Sequence, residues 1–232
     1  MTTGSYSMMG SKHKVNQDSF YLCNEDRRCL CVIADGMGGH NAGDVASKTV
    51  TEIFSKIKKF DEKTILNTIE EADRTIKSMS LCDKSLEGMG TTIVLAALNK
   101  NSAVIANVGD SRAYGINKKI VKQITSDHSY VQQLIDEGKI TSFEAEHHPM
   151  KNIITMAIGT GGNIKPNVIN VIFDDEDILL LCSDGVSGAL SEEEMQRCCF
   201  EHMPQQSAEE ICRLAVKKGA TDDVTAIVVR MK

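Results

Sequence analysis

Five short stretches of the 232-residue chain, 29–34, 91–98, 103–108, 178–182 and 224–229, are almost continuously apolar, rich in Val, Ile and Leu, and bounded by Gly, Asp, Asn or Ser. Their length and borders predict strands, and the absence of alternation predicts that both faces of each are covered, as in a layered sandwich or a central sheet. A different period marks the helices. Residues 42–60 follow a glycine-rich turn, and residues 62–81 place Ile65, Ile69, Ala72, Ile76 and Met79 at spacings of three and four, one apolar face of a helix. A short helix is expected over 129–137. Ser191 with Glu194 and Ser207 with Glu210 each fit a capping box, in which a hydroxyl and a carboxylate satisfy each other's backbone donors, and Gly219 supplies a stop. The order is a helix pair, a block of strands, an irregular middle, more strands, two helices and a last strand. Regular β-α-β alternation is missing, so the predicted class is α+β.

No repeat or Pro/Ser-rich linker divides the chain, and one domain over 1–232 is the expectation. Its least regular part, about 138–166, holds His147, His148 and a glycine cluster at 159–162, and reads as a surface flap. A net charge of -6 and the absence of Trp argue against nucleic acid, whose phosphates are held mainly by Lys and Arg. No apolar run approaches the roughly 20 residues that span a bilayer, and no basic-then-apolar leader is visible, so the expectation is a cytoplasmic, monomeric protein without a membrane partner. The eight cysteines include no Cys-x-x-Cys knuckles, which points to reduced thiols in place of structural zinc; Cys31 and Cys182, inside apolar runs, read as core residues.

Aspartates recur where apolar runs end. Asp35 follows one run, Asp110 and Asp184 follow two others, Asp222 precedes the last, and Asp18 stands in VNQDSF. One such residue would be a turn. Several gathered at one sheet edge would repel each other unless cations neutralise them. Oxygen-only ligands suit Mn²⁺ or Mg²⁺. Asp35 could then bridge two ions, and Gly36 could turn its carbonyl toward the second. Such a pair, about 3.5–4 Å apart, would hold a hydroxide for in-line attack on phosphorus. Metal-assisted hydrolysis of a phosphate ester is the chemistry expected. The P-loop, the dinucleotide G-x-G-x-x-G, G-x-S-x-G and C-x-x-x-x-x-R signatures are all missing.

In order, NQD, DGMGG, GMGTT, GDSR, DHS, SDG and TDDVT make the sequence resemble the metal-dependent protein phosphatases, the protein phosphatase 2C family in its compact bacterial form, from about residue 10 to residue 229. The resemblance implies an αββα sandwich, two antiparallel sheets flanked by helix pairs. It also implies a centre of two Mn²⁺ or Mg²⁺ ions, with a third possible, that dephosphorylates phosphoserine and phosphothreonine. It casts Asp35, Asp184 and Asp222 as direct ligands with the Gly36 carbonyl, Asp18 and Gln17 as groups orienting bound waters, and Asp110 as a ligand of the third ion. Asp223 stands where relatives commonly have Asn, which makes it a weaker ligand candidate than Asp222. Two positions depart from the pattern. His13 replaces an arginine that grips the substrate phosphate, and Met156 replaces another near the flap; Lys12, Lys14 and Lys151 are the candidates to compensate. His40 is a candidate general acid set against a plain loop residue, His128 is read as structural, and Glu144 and His147 as solvated flap residues. The expected partners are phosphorylated proteins and a cognate serine/threonine kinase. The alternatives are a phosphoprotein-binding module with little or no activity, and a phosphatase for small metabolites.

Overall fold

The structure, a computed structural model, describes residues 1–25, 28–38 and 42–231. Eleven strands form along it: β1 Thr2–Met8, β2 Asp18–Glu25, β3 Arg28–Met37, β4 Gly90–Thr91, β5 Ile93–Asn99, β6 Ser102–Val108, β7 Arg112–Ile116, β8 Val121–Gln123, β9 Asn167–Ile172, β10 Ile178–Cys182 and β11 Val224–Arg230. Two sheets result, β1-β11-β10-β7-β8 and β2-β3-β5-β6-β9, with β4 paired to β3; the pairs between these strands are antiparallel. Among the described residues there are seven α-helices, α1 Ala42–Phe54, α2 Glu62–Cys82, α3 Tyr130–Asp136, α4 Ser142–Glu146, α5 Asp184–Ser187, α6 Glu192–Glu201 and α7 Pro204–Lys217, and a 3-10 turn at Lys84–Leu86.

β3 shows why the apolar runs do not alternate. Leu30, Val32 and Ala34 turn outward onto Val50 and Phe54 of α1 and Ile65, Ile69 and Ile76 of α2. Cys29, Cys31 and Ile33 turn inward, against Leu179, Leu181, Ile227 and Val229 of the facing sheet. On that sheet's far side, Leu180, Cys182, Ala226 and Val228 pack under Cys199 of α6 and Ile211 and Cys212 of α7. The architecture is the expected αββα sandwich, with three apolar layers between four layers of backbone.

The five apolar runs are strands, the run at 91–98 being interrupted at Thr92. β1, β2, β7, β8 and β9 carry no such run; four of them are sheet edges, where one side of the strand meets water and mixed residues suffice. α1 ends at Phe54, short of residue 60, and Asp61 caps α2 by accepting from Thr64 N at 2.9 Å. The Ser191–Glu194 capping box forms. The one at Ser207 does not. Pro204 opens α7, since its missing N–H costs nothing at the first position, and Ser207 lies inside the helix, donating to the Cys199 and His202 carbonyls. The 138–166 segment holds only the short α4 and the single bridges Ser129–Ile154 and Thr91–Ile158. All eight cysteines are free thiols, and Cys31 and Cys182 lie in the core. Among the described residues no helix is long and apolar enough to cross a membrane.

Candidate metal centre

Strand pairing brings the first two acids together, because β2 and β3 run antiparallel with Asp18 opposite Asp35. Thr91 of β4 and Thr92, at the break before β5, then fix the Asp35 backbone. Thr92 N and Thr91 Oγ1 donate to its carbonyl at 2.9 and 2.8 Å, and its own N–H reaches Thr92 Oγ1, which is bonded to Ser111 Oγ. The other sheet delivers Asp184, first residue of α5 after β10, and Asp222 with Asp223, just ahead of β11. Asp18 links the two sheets: its Oδ2 accepts from Ser183 Oγ at 2.8 Å and from Thr225 Oγ1 at 2.6 Å.

What these carboxylates lack is as informative as what they hold. Asp18 Oδ1, Asp110 Oδ1 and Asp184 Oδ1 are buried without a hydrogen-bond partner. Burial pushes Asp18 up to about 7 against the two hydroxyl bonds, with Asp223 and Asp184 adding repulsion. Burial also raises Asp35 well above its ordinary value, helped by Asp18, Asp184, Asp110 and Asp222. Asp184 is raised by burial and by Asp222, and Asp110 to about 7 by burial and by Asp184 and Asp127. The acids thus act on one another, and unpartnered oxygens of several of them share one region. Such a donor set, all oxygen and short of positive charge, fits hard divalent cations.

Gly36 has a packing reason to be glycine: a Cβ there would run into the Gly43 carbonyl of α1, and its N–H donates to Gln17 O at 3.1 Å. Gln17 meets the centre through its main chain, and its own N–H donates to Asp223 Oδ2 at 2.7 Å. Asp223 is a latch. Its Oδ1 accepts from Gly10 N at 2.8 Å, so this buried carboxylate holds both ends of the β1–β2 loop. His13 Nδ1 lies 3.4 Å from Asp223 Oδ2 and 3.5 Å from Asp222 Oδ1, and Lys12 Nζ lies 2.7 Å from Asp222 Oδ2.

Other expected residues are placed outside the cluster. Met156 packs beside the α1–α2 layer, where its sulfur accepts from Lys165 N; Lys151 donates to the Glu146 carbonyl on the flap. Glu144 caps α4 and His147 Nδ1 lies 3.1 Å from Phe143 O, in keeping with solvated flap residues. His128, its pKa lowered by burial, accepts from Gly109 N at 3.1 Å and braces the loop that carries Asp110. His40 lies outside the described residues. Arg112 is bound on both edges, to both Asp127 oxygens and to the Tyr114 hydroxyl. The hydroxyls of Thr91, Thr92, Ser111, Ser183 and Thr225 escape sequence reading, although each stands within three residues of an acid or carries one's backbone.

Comparison with known proteins follows from this geometry. The family Protein phosphatase 2C matches residues 9–218. Serine/threonine phosphatase stp of Listeria monocytogenes serotype 4b is 36% identical over 216 residues, spanning 89% of this chain and 86% of that one. The crystal structure of serine/threonine phosphatase Stp1 from Staphylococcus aureus superposes with a TM-score of 0.92 at 35% identity, covering 100% of this chain and 96% of the other. The catalytic domain of serine threonine protein phosphatase PstP, in complex with 2 manganese ions, superposes at 0.86 with 31% identity, covering 99% and 98%.

Proposed function

The chain belongs to the protein phosphatase 2C family, and on that premise we propose how its own residues perform the reaction. It is a metal-dependent serine/threonine protein phosphatase, and phosphoproteins are its substrates. Asp35, Asp184 and Asp222, with the Gly36 carbonyl, hold two Mn²⁺ or Mg²⁺ ions, and Asp110 serves a third. Divalent ions, when bound, offset the carboxylate charge and lower the pKa of water, which is the chemistry a phosphate monoester needs. Asp18, tied to Ser183 and Thr225, keeps its Oδ1 free to accept from a water. Gln17, through its backbone, sets the loop bearing His13 at the mouth of the centre, where substrate enters.

Among the described residues, the hydroxyls and the thiol beside these acids are not poised to take the phosphoryl group. Ser183 and Ser111 are bonded to Asp18 and Thr92, and burial pushes the Cys182 thiol up to about 12, leaving it neutral. The residues therefore position water, ester and charge, and hydrolysis proceeds without a phosphoenzyme. Acting in the cytoplasm as a monomer, the protein would oppose a serine/threonine kinase.

One observation carries this reading: acids from both sheets converge with buried, unpartnered oxygens. Phosphate release from a phosphothreonine peptide, with Mn²⁺ and with chelator, tests it. Chelation and Asp35→Asn should each abolish turnover, by at least about 100-fold for the substitution. Turnover indifferent to both would refute the centre, peptide bound but never hydrolysed would make this a binding module, and preference for small phosphorylated metabolites would move the substrate class.

A further inference from the structure

We propose that Lys12 is the group that grips the substrate phosphate, while His13 beside it serves to fix the loop through Asp223; this rests on the phosphatase reading above. The β1–β2 loop leaves Lys12 little choice of place. Gly10 N and Gln17 N are held by Asp223, and Lys12 N donates to Thr221 O at 2.9 Å. A Cβ on Gly10 would strike the Asp222 carbonyl, so the loop lies flat on the segment that bears the acids. From this base the Lys12 ammonium reaches Asp222 Oδ2 at 2.7 Å, in the field of Asp184 and Asp35 as well, and its pKa is raised first by that hydrogen bond.

Two cations that act on the acids, Lys12 on Asp222 and Asp184 and Arg112 on Asp110, differ in what they can still do. Arg112 is a fixed fork, its edges taken by Asp127 and Tyr114. Lys12 has a flexible stem, a side chain 57% exposed, and one hydrogen bond from a group with three donors. The His13 side chain is only 24% exposed, and its Nδ1 already faces two carboxylates. Once Asp222 serves a divalent ion, the ammonium and that ion are like charges contending for one carboxylate. Lys12 then has every reason to turn outward, and an incoming phosphate dianion is the partner that meets it there.

Two effects follow, of opposite sign. Without Lys12, Asp222 should bind ions more readily, while phosphate should be held less tightly. Calorimetry on Lys12→Met, Lys12→Arg and His13→Asn measures both, through Mn²⁺ binding and through inorganic phosphate binding to the Mn²⁺-loaded protein. Lys12→Met should tighten Mn²⁺ severalfold and weaken phosphate by about tenfold, the effect of one charge-assisted hydrogen bond. Lys12→Arg should restore phosphate binding, and KM for an aryl phosphate should rise more than kcat falls in Lys12→Met. Unchanged phosphate affinity in Lys12→Met, or a loss confined to His13→Asn, overturns the proposal, as does kcat falling with KM unmoved. A protein that hydrolyses nothing would end the phosphatase reading, yet the two titrations would still decide Lys12.

Discussion

Removing the charge of Asp18 should make the metal-free protein more stable. The carboxylate is fully buried, and its pKa rises from 3.8 to about 7 in the fold. In the unfolded chain it ionises near 4, so between these values the folded state binds more protons and stability falls as pH rises. The penalty is absent below about pH 4 and complete above about pH 7; a shift of roughly 3 units corresponds to about 4 kcal/mol. Asparagine keeps an oxygen for Ser183 and Thr225 but carries no charge. In chelator, urea unfolding should therefore find Asp18→Asn more stable by about 4 kcal/mol at pH 8, the gap narrowing to below about 2 kcal/mol at pH 5. In a chain of this length that is a Tm gain of roughly 10 °C at pH 8. With Mn²⁺ the advantage should vanish, because the substituted protein should bind the ion about 10–100-fold more weakly. A gap independent of pH, or an Asp18→Asn protein less stable than its parent at pH 8 in chelator, would refute the reasoning.

Asp223→Ala should leave Gly10 N and Gln17 N without their acceptor; at about 1–3 kcal/mol per buried donor, a loss of about 3 kcal/mol is expected, read as a Tm lower by roughly 10 °C. Arg112→Met should leave the Asp127 carboxylate, whose side chain is 8% exposed, with the Gln123 amide but no counter-charge, and cost about 3 kcal/mol in denaturant titration, with Arg112→Lys recovering only part because one ammonium cannot span both oxygens.

Where the sequence was legible, burial was two-sided. β3, β5, β6, β10 and β11 sit inside their sheets, so most of their positions are apolar and the runs announce themselves. β9 is an edge, with Ile172 84% exposed beside polar Asn170, and nothing in NVINVI separates it from a loop. The acids could be read because charge at the end of an apolar run is conspicuous. Their hydroxyl supports could not, because Ser183 and Thr225 look like ordinary strand-end residues until two sheets place them on one carboxylate. Ser207 shows the reverse fault: a sound capping pattern lost to a proline three residues earlier. The role of Asp223 was hidden for a third reason, since a latch depends on a loop some 210 residues away in the chain.

Asp35 rides on one sheet while Asp184 and Asp222 ride on the other, so the spacing among them is set by the slab of Cys31, Ile33, Leu181 and Ile227 that keeps those sheets apart. That slab works as a shim. A bulkier or slimmer residue in it would alter the bite of the proposed ligand cage from a distance, and variants there would surface first as changes in ion appetite, before any loosening of the fold.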